Sequence, residues 1–193
     1  MIAHTDSENE DYSKAIDVFE NLIKLNPKNA NNFHNLGIVY TKTKKTDLAI
    51  NNYLKAIEII PNDSLMLIEL AQAQINEESS NNLLNAIKNL KKASLTENQN
   101  EKLWYLLSVA YGRNNEMSKS KYASAYSAYL KGDDVRALNF IQKAKKLVKK
   151  NSVEWNKLDN LESKRKKIES LKEQIKSNIQ KIDEIIDEYN ANS

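Results

Sequence analysis

The sequence predicts an all-α protein built as a solenoid of paired helices. Three observations support this prediction. With 3 Gly and 2 Pro among 193 residues, the chain has little of the turn material that strands and hairpins need. Apolar residues recur at three- and four-residue spacing through most of the chain. Ala15 and Phe19 recur 34 positions later as Ala49 and Tyr53, which indicates a repeated structural unit.

The clearest unit is residues 30–61, which read as one helix–turn–helix repeat. Its marker residues are Phe33, Leu36, Gly37 and Tyr40 on the first helix, and Ala49, Tyr53, Ala56 and Pro61 on the second. This order is typical of a tetratricopeptide repeat (TPR). Gly37 is expected to leave a gap that lets the second helix approach closely, and Tyr53 to fill the space between successive repeats. Pro61 stops the second helix.

The chain begins with half a repeat. A helix is predicted over 12–25, with Asp11 as a cap and Pro27 as the closing proline of a second helix. The matching first helix would have to begin before Met1, because residues 1–10 are too polar to replace it and are expected to be disordered. A TPR cannot bury its apolar face alone, so either something else covers 12–25 or the chain is the tail of a longer protein.

Two further repeats follow. The third opens near Ser64 with Asp63 as a cap. Its three extra residues are placed in the polar loop 76–82, where insertion costs little. The fourth opens at Trp104, and Gly112 is expected to end its first helix.

After the fourth repeat opens, the pattern drifts. A small-residue helix is predicted over 116–131, ended by Gly132, and the next helix, over 135–149, repeats the second-helix spacing. Ser152 is expected to cap a long final helix that packs back onto the array. The TPR array is therefore expected to span 11–161.

Residues 162–193 are predicted to extend the final helix beyond the array. A heptad register starting at Leu161 places Ile168, Leu171, Ile175, Ile182, Ile185 and Tyr189 on one side. Lys164 and Asn178 interrupt it. Two interpretations stay open: a coiled coil that pairs with itself or with a partner, or a solvated helix that frays.

Composition excludes several classes of function. The net charge of +3 is too small to argue for nucleic acid or a membrane surface, and the chain has no cysteine for disulfides or thiolate metal sites. No apolar run approaches the ~20 residues of a membrane span. His4 and His34 are too far apart for a metal pair, so no catalytic residue, metal or cofactor is predicted. The first residues lack a signal-peptide pattern, which favours the cytoplasm.

TPR arrays usually bind peptides or partner helices on the concave face, which the first helix of each repeat lines. The residues predicted on that face are Asn31, His34, Ile38, Lys42, Leu65, Ile68, Gln72, Lys102, Tyr105, Val109 and Arg113. Tyr105 and Arg113 are the expected anchors. Some TPRs hold a free C-terminal carboxylate with a Lys/Asn clamp. Here His34 and Ile38 occupy the clamp positions, so no preference for a free C-terminus is expected.

A basic stretch lies near the end of the array. It comprises Lys143, Lys145, Lys146, Lys149 and Lys150, followed by residues 164–167. Such a run could contact phosphate groups or an acidic partner, but it is more often a solvated helix face, and we expect no nucleic-acid partner.

Three phrases go beyond generic TPR patterning: LIELAQAQI (67–75), LWYLLSVAYGR (103–113) and YLKGDDVRALNFIQKAKKLV (129–148). Together with the preceding repeats, and with the turn at residues 152–155, they resemble the C-terminal TPR tail of bacterial periplasmic zinc metalloproteases of the outer-membrane assembly type. In that family an upstream domain with an HExxH zinc helix is catalytic, and this sequence contains no such motif. The resemblance implies a periplasmic role in binding an assembly protein or an unfolded outer-membrane substrate.

We therefore predict a non-enzymatic protein–protein interaction module. One version acts in envelope protein quality control or assembly. An alternative is the C-terminal fragment of a metalloprotease whose catalytic domain precedes Met1. A third is a cytoplasmic adaptor that forms homo-oligomers through 162–193.

Overall fold

A computed structural model of the chain describes residues 2–77 and 79–191, with side chains for 11–77 and 79–190. Met1, Glu78, Asn192 and Ser193, which fall in predicted loop or terminal segments, lie outside the described residues. The described part contains nine helices and no strand: α1 (Ile2–Leu25), α2 (Ala30–Lys42), α3 (Thr46–Ile59), α4 (Ser64–Glu77), α5 (Ser80–Ala93), α6 (Glu101–Arg113), α7 (Met117–Leu130), α8 (Asp134–Lys145) and α9 (Val153–Ala191). This confirms the predicted all-α fold.

Consecutive helices pack as pairs, α2 with α3, α4 with α5 and α6 with α7. Each pair is one repeat. The first helices share a side of the molecule, because α2 also contacts α4 and α4 also contacts α6. α1 packs on α2 as an unpaired second helix, and α8 packs between α7 and the start of α9.

The N-terminal segment differs from the prediction. Residues 2–10 are helical rather than disordered, so Asp11 lies inside α1 and does not cap it. Starting a helix is costly, whereas extending one adds a hydrogen bond for each residue fixed. A helix that is held in place by packing can therefore continue through the polar residues that precede it. Ile16, Phe19 and Ile23 pack against the buried cluster formed mainly by α2 and α3.

The gap at Gly37 is present as predicted. A Cβ on Gly37 would lie 2.6 Å from Tyr53 Cε1. Ala49, Tyr53 and Ala56 are fully buried beneath it. The hydroxyls of Tyr53 and Thr41 are hydrogen-bonded at 3.1 Å. Burial raises the pKa of Tyr53 to about 12.

Helix ends mostly follow the predicted cap residues. The Met66 amide donates to Asp63 Oδ1 at 2.9 Å, and the Trp155 amide donates to Ser152 Oγ at 3.2 Å. Gly132 ends α7 with φ +75°. Gly112, however, does not end α6, which continues to Arg113.

The stretch predicted as a helix over 135–149 is shorter in the structure. α8 ends at Lys145 and packs on α7 and, less extensively, on the start of α9. Ala137, Ile141 and Ala144 are fully buried. Small residues at this spacing allow close packing on neighbouring helices, and either helix of a repeat can have such spacing.

The start of α9 is fixed to α8. Leu158 and Leu161 are buried with Ile141 and Ala144. Lys145, with 15 % of its side chain exposed, pairs with Asp159 at 2.7 Å and with Glu162 at 2.8 Å. Beyond the contact of Lys172 with Asp134 at 3.1 Å, the side chains of 173–190 are all exposed. No helix in the described part of the chain is long and apolar enough to cross a membrane.

Candidate partner-binding face

The structure distributes the predicted concave-face residues over three levels of exposure. Asn31, Lys42, Leu65, Lys102, Tyr105 and Arg113 are exposed, and Ile38, Gln72 and Val109 are half-buried. His34 and Ile68 are buried. All lie on α2, α4 and α6, the helices that share one side of the solenoid.

The two buried residues cannot contact a partner directly. His34 is 6 % exposed and its ring packs against Tyr53 at 5.7 Å between centroids. Among the described residues, its Nε2 has no hydrogen-bond partner. Burial lowers the pKa of His34, although Glu69 and Asp63 act in the opposite direction. His34 and Ile68 belong to the interior because the neighbouring helices pack over them.

Two cationic residues of the predicted face hold adjacent helices together. Arg113 Nη1 donates to the Ile75 carbonyl oxygen at 2.6 Å, joining α6 to the end of α4. Lys102 pairs with Glu69 at 2.8 Å. Of the two expected anchors, Tyr105 therefore presents its side chain to solvent, with 55 % exposed, whereas the Arg113 guanidinium is engaged with α4.

A cleft lies where α6 and α8 separate. No Cα of α6 comes within 8 Å of a Cα of α8, although both helices pack on α7. The resulting cleft has a volume of about 280 Å³. α6 contributes Glu101, Tyr105 and Ser108, α7 contributes Ser124, Ser127 and Ala128, and the α8 side contributes Lys131, Asp133, Arg136 and Phe140.

The charges of this cleft are balanced within it. Glu101 accepts a hydrogen bond from Ser127 Oγ at 2.6 Å and pairs with Lys131 at 3.3 Å. Arg136 Nε pairs with Asp133 at 3.3 Å. The floor of the cleft, on α7, therefore presents small hydroxyl and methyl groups, and its two sides present aromatic rings. Its positive and negative side chains are equal in number.

Trp104, predicted as core, is only half-buried. Its ring packs on Tyr126 at 4.3 Å and on Tyr122 at 5.9 Å between centroids, and its Nε1 donates to the Asn98 carbonyl oxygen at 2.7 Å. With Tyr111 it lines a second cleft of about 300 Å³, bounded by α5, α7 and α9. Phe33, Tyr40 and Tyr53 are buried as predicted.

The cleft residues of α7 and α8 were missed from the sequence. The predicted face was limited to α2, α4 and α6, whose residues match the first helix of a repeat. A usable signal was present, since Ser124, Ser127 and Ala128 share one face of α7 and are too small to cover it. A face lined by such residues leaves room for another chain.

Part of the basic stretch makes contacts within the fold. Lys145 is held between Asp159 and Glu162, and its Nζ lies 4.9 Å from the centroid of Trp155. Burial alone would lower the pKa of Lys145, but the hydrogen bonds to the two carboxylates raise it. In the described part of the chain, no group of three or more His, Cys, Asp or Glu side chains is placed to hold a metal ion.

Sequence comparison detects the repeats directly. The tetratricopeptide repeat family model matches residues 1–29 and 30–63. Anaphase-promoting complex subunit 3 of Schizosaccharomyces pombe is 38 % identical over 64 residues, which are 33 % of this chain and 10 % of that protein. The chain therefore matches only a small part of this curated relative.

Solved structures extend the likeness to most of the chain. A crystal structure of MamA superimposes with a TM-score of 0.63 and 19 % identity, covering 90 % of this chain and 98 % of that one. A second MamA crystal structure gives a TM-score of 0.63 and 21 % identity over 85 % of this chain and 90 % of that one. The first TPR domain of human RPAP3 gives a TM-score of 0.51 and 18 % identity over 69 % of this chain and 98 % of that domain. The chain thus carries tetratricopeptide repeats in an α-solenoid of the TPR type.

Proposed function

We propose that this protein is a non-catalytic interaction scaffold that binds a segment of a partner protein in the cleft between α6 and α8. The observation that carries the proposal is the separation of these two helices over a floor of small residues. Elsewhere on the same side, α2 and α4 are in contact, as are α4 and α6. The cleft is therefore the place on this side where a guest side chain can enter without displacing a helix.

The chemistry of the cleft favours an uncharged or weakly charged segment with an apolar anchor. Tyr105 and Phe140 supply ring surface from opposite helices, and such surface carries much of the energy at protein interfaces. Ser108 and Ser124 supply hydroxyl groups beside them. Because the four charged groups pair among themselves, a highly acidic or basic segment would gain little there.

The experiment uses a phage-displayed library of random peptides selected on the whole chain. Affinities of the selected peptides are then measured for Ser124→Phe, which fills the cleft, and for Ser118→Phe as the matched control. Ser118 lies on the same helix but lines the second cleft. Ser124→Phe should weaken binding at least about tenfold, and Ser118→Phe should not. Equal affinities of the two variants would contradict the proposal.

Two further parts of the proposal concern the self-association of the chain and its cellular compartment. We propose that two copies associate through the C-terminal helix. We also propose, from the resemblance to metalloprotease tails, that the scaffold serves envelope protein quality control or assembly and that nucleic acid is not its partner. Spheroplast fractionation tests the setting, since recovery of the chain only in the cytoplasmic fraction would contradict an envelope role.

The same resemblance supports a second candidate, the tail of a zinc metalloprotease. Sequencing the transcript upstream of Met1 decides this candidate. An in-frame HExxH segment supports it, and a stop codon directly upstream contradicts it.

A further inference from the structure

We infer that two copies of this chain pair through α9 as an antiparallel coiled coil centred between Asn178 and Ile179. The inference rests on the proposed self-association and adds its orientation and register. Beyond Lys172, α9 extends past α8, and its side chains over 173–190 are exposed.

The protruding part of α9 carries one narrow apolar stripe. Its members are Ile168, Leu171, Ile175, Ile179, Ile182, Ile186 and Tyr189, with exposed fractions from 37 % to 74 %. At about 100° per residue, they fall within an arc of about 80°. The heptad predicted from Leu161 placed Asn178 and Ile185 in this seam. A straight helix places Ile179 and Ile186 there instead, so the stripe continues without the polar interruption at 178.

The stripe is symmetric about its midpoint. Ile168 and Tyr189 are equally far from the point between Asn178 and Ile179, and so are Leu171 and Ile186. A two-fold axis through that point therefore sets Ile168 opposite Tyr189, Leu171 opposite Ile186 and Ile175 opposite Ile182, and brings Ile179 close to its own copy at the axis. Self-complementarity of this kind is what a two-fold dimer interface requires.

Charge favours the antiparallel orientation over the parallel one. Residues 164–167 are all basic, and the antiparallel register keeps the two copies of this segment about 39 Å apart along the pair. Lys176 and Asp183 lie on the same flank of the stripe, and an antiparallel pair sets each flank against its own copy. Lys176 of one chain then approaches Asp183 of the other. A parallel pair would instead place the basic segments side by side.

Sedimentation equilibrium of the whole chain tests the association. The expected mass is twice the 22.1 kDa of one chain. Ile182→Gln, on the stripe, should raise the dimer dissociation constant at least about tenfold, and Ser177→Gln, on the opposite side of the helix, should not. A monomer would overturn the proposed self-association itself, and so would equal effects of the two variants. Any larger assembly would overturn the two-fold pairing.

Cysteine cross-linking tests the orientation independently, because the chain has no cysteine of its own. In the antiparallel pair, position 171 lies beside position 186 of the other copy and about 22 Å from its own counterpart. A disulfide needs Cα atoms within about 7 Å. Leu171→Cys mixed with Ile186→Cys should therefore cross-link, whereas Leu171→Cys alone should not. A dimer in which Leu171→Cys cross-links with itself would overturn the orientation and leave self-association standing.

The salt dependence of the dimer dissociation constant is a third test of the antiparallel pair. Antiparallel contacts between opposite charges weaken as ions screen them, so the dissociation constant should rise with salt. A dissociation constant that falls with salt would contradict the antiparallel arrangement, since screening helps like charges to approach.

Discussion

At Gly37 the absence of a side chain determines how closely two helices approach. The Tyr53 ring occupies the place where a Cβ would be, and Tyr53 is fully buried. At Gly112 the nearest atom to an added Cβ is Ser120 Oγ at 3.3 Å, which is the end of a small polar side chain. The two glycines therefore have different structural roles, and the residue of the fourth repeat that corresponds to Gly37 is Ser108.

Gly37→Ala should lower the free energy of unfolding by about 1–2 kcal/mol. Overpacking a core typically costs about 1–3 kcal/mol, and replacing glycine in a helix returns up to about 1 kcal/mol. Urea denaturation measures the change. Gly112→Ala, the matched control, should leave the free energy of unfolding unchanged or raise it by up to about 1 kcal/mol. If Gly37→Ala is as stable as the wild type, Tyr53 does not fill the gap as described.

His34 should make stability depend on pH. Because burial lowers its pKa in the folded state, the unfolded chain binds a proton more readily. The stabilising contribution is complete above the unfolded value of about 6.5 and is lost as the pH falls below it. The urea midpoint should therefore drop between pH 7.5 and 5.5, and His34→Gln should show a smaller drop. An identical drop in the variant would assign the effect to other groups.

At the scale of elements, the repeats in which bulky and small residues follow a fixed order could be predicted from the sequence. The marker residues of 30–61 are dictated by close packing, so the sequence alone identifies α2 and α3. The cleft was not predicted, because it arises where α8 separates from α6 and no local sequence pattern encodes that separation.

The attachment of α9 depends on Lys145. Lys145→Met should lower the free energy of unfolding by about 1–3 kcal/mol, because two carboxylates lose a charged hydrogen-bond donor. A double-mutant cycle with Glu162→Gln, followed by thermal denaturation, measures the coupling. Lys166 also pairs with Glu162, at 3.0 Å, but is 65 % exposed. The same cycle with Lys166→Met should give a coupling of about 0–1 kcal/mol, and similar couplings for both lysines would contradict this account.

At the scale of the whole molecule, the chain combines a short TPR solenoid with a helix that extends beyond it. The solenoid presents the cleft between α6 and α8, and the distal part of α9 presents the apolar stripe. An antiparallel pair of α9 helices would carry one cleft at each end. Such a dimer could bind two copies of a partner segment at once, which raises overall affinity without new contacts.

The cleft should bind internal segments and chain ends equally well. The two cations that line the cleft, Lys131 and Arg136, are paired with Glu101 and Asp133, so neither is left to hold a C-terminal carboxylate. His34, which occupies a clamp position on α2, is buried. Peptides selected on the chain should therefore bind with equal affinity as free acids and as C-terminal amides, as measured by fluorescence polarisation. A loss of about tenfold or more on amidation would show that the carboxylate is recognised.

The most direct test of the central claim is NMR chemical-shift mapping of a selected peptide on the isotope-labelled whole chain. The largest shifts should occur at Tyr105, Ser124, Arg136 and Phe140, which line the cleft on three different helices. Shifts confined to α2 and α3, or to the distal half of α9, would contradict it.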